Sequence, residues 1–158
     1  MPNVLDLLQV ETGLVPKDIT GASQTGQIIS LQNYAECLVV IQQGAWAAGT
    51  PAVTLSKFTD VDGTGTATLA FEAYWQKAGL TAGTFTESAV TSNTFNLPNT
   101  ANTLTVIKVT AAMLGDTYNA FRVNVASPGS NADLLGISYI LVKPRYPEEP
   151  QKDAKVDA

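Results

Sequence analysis

The side chains best placed to do chemistry in this chain are carboxylates. Glu36 and Glu72 fall in strand-like segments, and Asp60 and Asp62 share the short sequence Asp60-Val61-Asp62-Gly63. A carboxylate pair can hydrolyse a glycosidic bond when one group stays protonated and the other ionised. A strand glutamate is more often on a solvated face or at an interface, so catalysis is not expected from Glu36 and Glu72. The aspartates could begin a calcium loop, but that loop needs a glutamate at its twelfth position. Counted from Asp60, that position is Phe71. Asp-Gly between two strands is a hairpin signal in its own right, and a turn is the expected role of residues 60–65.

The 158 residues include no histidine and one cysteine, Cys37. Serine- and cysteine-based triads need an imidazole base, and zinc sites draw mainly on Cys and His. No P-loop or dinucleotide-binding fingerprint is present. The residues therefore predict no catalytic centre, no cofactor and no metal. Cys37 lies in the run Cys37-Leu38-Val39-Val40-Ile41 and is expected to be a buried thiol. A lone cysteine forms no internal disulfide, which suits assembly in a reducing cytoplasm.

Composition narrows the partners. The net charge is −5, and the nine basic residues are scattered singly. A nucleic-acid binder clusters its Lys and Arg against phosphates, so nucleic acid is not an expected partner. No stretch approaches the roughly 20 apolar residues of a membrane span, and the start MPNVLDLLQVETG lacks the features of a secretory signal. Apolar residues make up 45% of the chain and charged residues only 15%. The surface must then rest on neutral polar groups, which the many threonines supply. Threonine is β-branched and favours strands.

The elements that would position these residues are strands. From about Gln27 to Val142, segments that alternate or are apolar throughout are punctuated by Gly, Pro, Asn and Asp. Tyr34–Gln42 and Thr103–Val109 are apolar on both faces, the signature of strands covered on both sides. Residues 52–59 place Val53 and Leu55 on one face, and 66–75 place Leu69, Phe71, Ala73 and Trp75 on one face. Trp75 is thus expected in the core. Ala111–Leu114 makes one helical turn ended by Gly115. Residues 118–125 turn Phe121, Val123 and Val125 inward, and 134–142 form the last strand. Short strands are expected near Phe85 and Phe95, within the long polar stretch 82–102. The expected fold class is all-β, an antiparallel β-sandwich or jelly roll.

Both ends differ from this body. Val4, Leu5, Leu7, Leu8 and Val10 fit a short helix or arm capped by Asn3 and ended by Gly13 and Pro16. So short a helix is unstable alone and must pack on its own domain or on a partner. Residues 18–27 read as a loop. After Pro144 the chain becomes charged and proline-bearing, a flexible acidic tail. The expected division is 1–26 for arm and loop, 27–146 for the sandwich and 147–158 for the tail. Trp46, in the small-residue loop GAWAAG, either anchors an interface or folds back to plug the sandwich end.

Three stretches together resemble the small β-rich head decoration, or cement, proteins of tailed bacteriophages. They are YAECLVVIQQGAW, AVTLSKFTDVDGTGTATLAF and ADLLGISYILVKPRYP. The resemblance implies a structural virion protein on the capsid exterior, assembled in the host cytoplasm. It also implies the major capsid protein as partner and a homotrimeric state. On that reading the interaction residues are Val4, Leu5, Leu7 and Leu8 of the arm, Trp46 of the loop and Tyr146 near the tail. A β-sandwich binding module of a phage tail or receptor-recognition apparatus is the alternative.

Overall fold

A computed structural model describes residues 7–81 and 83–145. Val4, Leu5, Tyr146 and the tail 147–158 lie outside the described residues. Twelve strands and one helical turn follow in order: β1 (Leu8–Asp18), β2 (Gln24–Thr25), β3 (Ile29–Ser30), β4 (Tyr34–Trp46), β5 (Ala52–Phe58), β6 (Ala67–Thr68), β7 (Ala73–Lys77), β8 (Thr86–Ala89), β9 (Thr94–Asn96), β10 (Leu104–Thr110), α1 (Ala111–Leu114), β11 (Ala120–Val125) and β12 (Asp133–Pro144). Of the two sheets, each of six strands, one runs all six in a single unbroken order, β1-β12-β4-β10-β7-β8, and is called the six-stranded sheet below. The other has the order β2-β11-β5-β6, with β3 also on β11 and β9 also on β5. Every strand pairing is antiparallel. The fold is an all-β sandwich, as the alternation predicts.

One apolar core lies between the sheets. The six-stranded sheet gives it Cys37, Val39, Ile41, Ile107, Val109, Ile137, Tyr139 and Leu141, and the other gives Val53, Leu55, Phe121, Val123 and Val125. These are every second residue along each strand, which is what a pleated strand with one covered face requires. The Phe121 and Tyr139 rings meet edge to face across the gap, with centroids 5.7 Å apart. The stretch 82–102 contributes too: Phe95 and Leu97 are buried, and Phe95 stacks on Tyr74 at 4.0 Å.

Two sequence expectations are corrected here. Leu8 and Val10 belong to a strand, with Leu8 opposite Val142 and Val10 opposite Ile140. The edge of β12 offers residues 8–12 a ladder of hydrogen bonds, whereas an isolated short helix pays for its own nucleation. Gly13 ends no helix. It sits at a register shift of β1, where a Cβ would lie 2.8 Å from Ile137 Cγ2 and from Tyr139 Cε2. Residues 8–18 are thereby a strand of the sandwich. Within 18–27, Gln24 and Thr25 pair with β11.

The second correction is Trp75. It stands opposite Val106 on one side and Glu87 on the other, on the face of the sheet turned away from the core, while Tyr74 packs inward. The chain crosses from β6 in one sheet to β7 in the other between Thr68 and Ala73. That crossing resets the alternation, so Phe71 and Tyr74 both reach the core.

The buried thiol gives a pH-dependent expectation. Burial pushes the Cys37 thiol and the Tyr139 hydroxyl well above their ordinary pKa values. Both groups are neutral when protonated, so a raised native pKa stabilises the fold below the unfolded pKa and loses that contribution as pH rises above it. The unfolded chain starts to ionise Cys37 near pH ~8.5 and Tyr139 near ~10, at a slope of up to roughly 1.4 kcal/mol per pH unit for each group. Urea titrations at successive pH values are expected to show stability falling from about pH 8.5 upward. Cys37→Ala is expected to flatten that fall up to about pH 10. A wild-type curve already flat across this interval would contradict the burial of the thiol.

Candidate interaction surface

No catalytic constellation is assembled among the described residues. Glu36 lies on β4 between two lysines, its Oε1 2.7 Å from Lys143 Nζ and 3.6 Å from Lys108 Nζ. The Lys143 hydrogen bond is the main cause that holds its carboxyl below the usual range. Glu72 lies between β6 and β7, and its carbonyl accepts from the Val90 N–H. Asp60 is committed to its turn: Oδ1 accepts from Thr64 N–H at 3.0 Å, and the carbonyl from Gly63 N–H. Gly63 and Gly65 take the positive φ values that such a turn demands. No group of three or more His, Cys, Asp or Glu gathers as a metal site among the described residues.

Trp46 ends β4, packs against the core and donates its indole N–H to the Gly49 carbonyl at 3.1 Å. Its loop is held from beneath by Asp133, a fully buried carboxylate whose Oδ1 accepts from Ala47 N–H at 2.6 Å and lies 3.4 Å from Ala48 N. Leu7 is about half exposed at the outset of β1, and Leu8 is half-buried beside Val142. The structure thus separates the expected interaction residues: Trp46 closes one end of the sandwich, while Leu7 and Leu8 lie at the edge of the six-stranded sheet.

The surface that stands out is one the sequence reading did not single out. Residues directly opposite in a ladder share a face. The outward face of the six-stranded sheet therefore carries Val10, Ile140, Leu38 and Lys108 in one row. The next row carries Thr12, Ser138, Val40, Val106, Trp75 and Glu87. Leu8, Val142 and Glu36 flank these on one side, and Gly136, Gln42 and Leu104 on the other. The outward face of the second sheet is largely polar, with Phe58 and Ala120 as its apolar members. There Arg122, Asn124, Ser56, Thr54, Thr25 and Thr94 stand in register, and Asn124 Nδ2 donates to Ser56 Oγ at 2.9 Å. Leu38 and Val40 were expected to be covered on the strength of an apolar run. Their side of β4 is instead only partly buried.

No protein-family model matches the chain, and no curated protein matches it. Among solved structures, it is similar to the SPBc2 prophage-derived protein YomS at 12% identity, with a TM-score of 0.47 over 86% of this chain and 93% of that one. It is also similar to the T=1 particle protein derived from infectious bursal virus at 13% identity, with a TM-score of 0.27 over 92% of this chain and 42% of that one. A structure of infectious bursal disease virus, Gt strain, matches at 13% identity with a TM-score of 0.23, over 95% of this chain and 46% of that one.

Proposed function

We propose that the chain is a structural virion protein that binds the outer surface of an assembled phage capsid and stabilises it, as a homotrimer with the major capsid protein as partner. The observation that carries this reading is the resemblance of 34–46, 52–71 and 132–147 to decoration proteins. The first and last of these stretches contain β4 and β12, which pair with each other along the middle of the six-stranded sheet. A second support is the contrast between a more apolar outward face on one sheet and a more polar one on the other, which suits a protein held on a larger body. Stabilisation would follow from mass action, because a ligand that binds only the assembled shell shifts the balance away from the dissociated one. At a free concentration one hundred times the dissociation constant the effect is about 2.7 kcal/mol per site.

The test is co-sedimentation of purified protein with assembled heads of a tailed phage that encodes it, stripped of the protein, with copy number read from a quantitative gel. Saturation at a fixed number of copies per capsid lattice position, with a higher disruption temperature of the loaded heads, is expected. A handful of copies per particle, confined to one vertex, would overturn this reading in favour of a tail or receptor-recognition module. No binding to heads or tails would remove both.

A further inference from the structure

We infer that the outward face of the six-stranded sheet is covered by a second copy of this chain. Cys37–Ile41 is apolar at successive positions, and Leu104–Ile107 is interrupted only by the buried Thr105. A strand with no polar side is the mark of a sheet covered on both faces. One cover is the second sheet, which buries Val39, Ile41 and Ile107. On the other side of the same strands stand Leu38, Val40, Val106 and Ile140, joined by Val10 on the edge strand and Trp75 on β7. None of these six packs on the core, and Val10 is 58% exposed.

In projection the face matches a large apolar patch on a monomer and is smaller than one side of a standard interface. From β1 to β7 it spans five strands, and between the rows of Val142 and Gly136 it runs six residues. At strand spacings of about 4.8 Å and rises of about 3.4 Å per residue this is roughly 400–500 Å² in projection, before the relief of the side chains is counted. A standard interface buries about 800 Å² on each partner, while the largest apolar patch on a monomer is typically ~300–600 Å². At one end the face deepens into an open cavity of about 450 Å³ beside Pro16, Leu104, Leu134 and Gly136, with Leu80 on its rim. Leu80 and Leu134 are 83% and 44% exposed.

Charge favours a copy of the same chain. The whole chain carries −5, so two copies repel over most of their surface. The charged side chains of this face are Lys77, Lys108, Lys143, Glu36 and Glu87, a net charge of +1. Two copies therefore approach here without the repulsion found elsewhere. Extension of the sheet edge is the competing route, and β1 is unsuited to it. Register shifts interrupt β1 between Thr12 and Leu14 and between Leu14 and Lys17, and Pro16 lies within the second. Bulges and proline are standard protections of an edge. The apolar face points instead to packing of sheet face on sheet face, about 10 Å apart, as sandwiches themselves are built.

The inference shares with the proposed function only the expectation that copies meet. Its test is sedimentation velocity across a concentration series, for the full chain and for Val10→Lys, Val40→Lys, Val106→Glu and Thr54→Lys, with circular dichroism confirming folding of each. Wild type is expected to associate. The three changes on the apolar face are expected to raise the dissociation constant at least about tenfold, as for residues central to an interface. Thr54→Lys, on the polar face, is expected to leave association unchanged. Val10→Lys lies on an exposed edge position and keeps the test valid if the central variants fail to fold. A wild-type chain that stays monomeric at its highest soluble concentration overturns the inference, as does association that all folded variants retain. Head binding, measured on the same samples, separates the two readings. A monomer that still pellets with heads leaves the virion reading standing alone. Variants that associate normally but no longer pellet would assign this face to the capsid and overturn the inference.

Discussion

Phe121→Ala is expected to cost about 3–5 kcal/mol of folding free energy, the range for a fully buried aromatic truncated to a methyl group. The side chain is 0% exposed at the centre of the second sheet, where β11 pairs with β5 on one side and with β2 and β3 on the other. Its ring supplies the edge-to-face contact with Tyr139 that joins the two sheets. The loss therefore includes transferred area, the cavity left behind and an aromatic contact worth roughly 0.5–1.5 kcal/mol. Urea denaturation should show a lower midpoint with an unchanged slope. Arg122→Ala, one residue on, is the matched control. It removes a hydrogen bond to Asn124 Oδ1 and a cation held over the Phe58 ring at 5.1 Å, on the outward face. Such a contact at an exposed site is worth about 0.5–1 kcal/mol. Equal losses for the two variants would mean that the core is not organised around Phe121.

Phe121 belongs to the part of the fold that the sequence displays openly. Residues 121–125 alternate without interruption, and so do Val53 and Leu55 against Thr54 and Ser56. A strand with one covered face writes its orientation into a period of two, and no tertiary knowledge is needed to read it. The first strand is legible only in part. Apolar residues at positions 7, 8 and 10 suit one face of a helix and a half-covered strand alike. The partner that decides between them, Ile140 and its neighbours, lies far along the chain. Trp75 was misplaced for a related reason: alternation carries no record of a step from one sheet to another.

The candidate surface illustrates a different limit. The runs 37–41 and 104–107 read as strands covered on both faces, and within the chain the second sheet covers only one of them. Leu38, Val40 and Val106 read as core, and by residue type they are core-like. Only the register, which sets Val10, Ile140, Leu38 and Lys108 side by side, shows that they form one continuous face outside the sandwich. Trp46 and Leu8 were singled out by their positions in a loop and an arm. The structure makes Trp46 a half-buried plug bonded to Gly49 and Leu8 a member of an edge strand beside that face.

Tyr139 carries the other large effect, and its neighbours allow a sharper test than truncation alone. Its hydroxyl donates to the Gln27 carbonyl at 3.0 Å and lies 3.4 Å from the Val123 backbone nitrogen, so it ties the six-stranded sheet to the second one and to the segment before β3. The ring is 0% exposed, and Tyr139→Ala is expected to cost about 3–5 kcal/mol. Tyr139→Phe keeps the ring but removes the bond to the Gln27 carbonyl, at about 0.5–1.5 kcal/mol for a typical hydrogen bond. Gly26 lies directly against the hydroxyl: a Cβ there would come within 2.5 Å of the oxygen but no closer than 3.5 Å to any other atom of the ring or the Val123 carbonyl. Its φ is not positive, so alanine meets a steric objection there and no left-handed backbone penalty. Gly26→Ala is thus expected to cost about 1–3 kcal/mol in the wild-type protein, the usual range for forcing an extra methyl into a packed site. In the Tyr139→Phe background the obstructing oxygen is gone. The same substitution should then cost less than half as much, giving a double-mutant coupling of at least roughly 0.5 kcal/mol. Equal costs in the two backgrounds would show that the hydroxyl does not occupy the space above Gly26, and the tie between the sheets would have to be sought elsewhere.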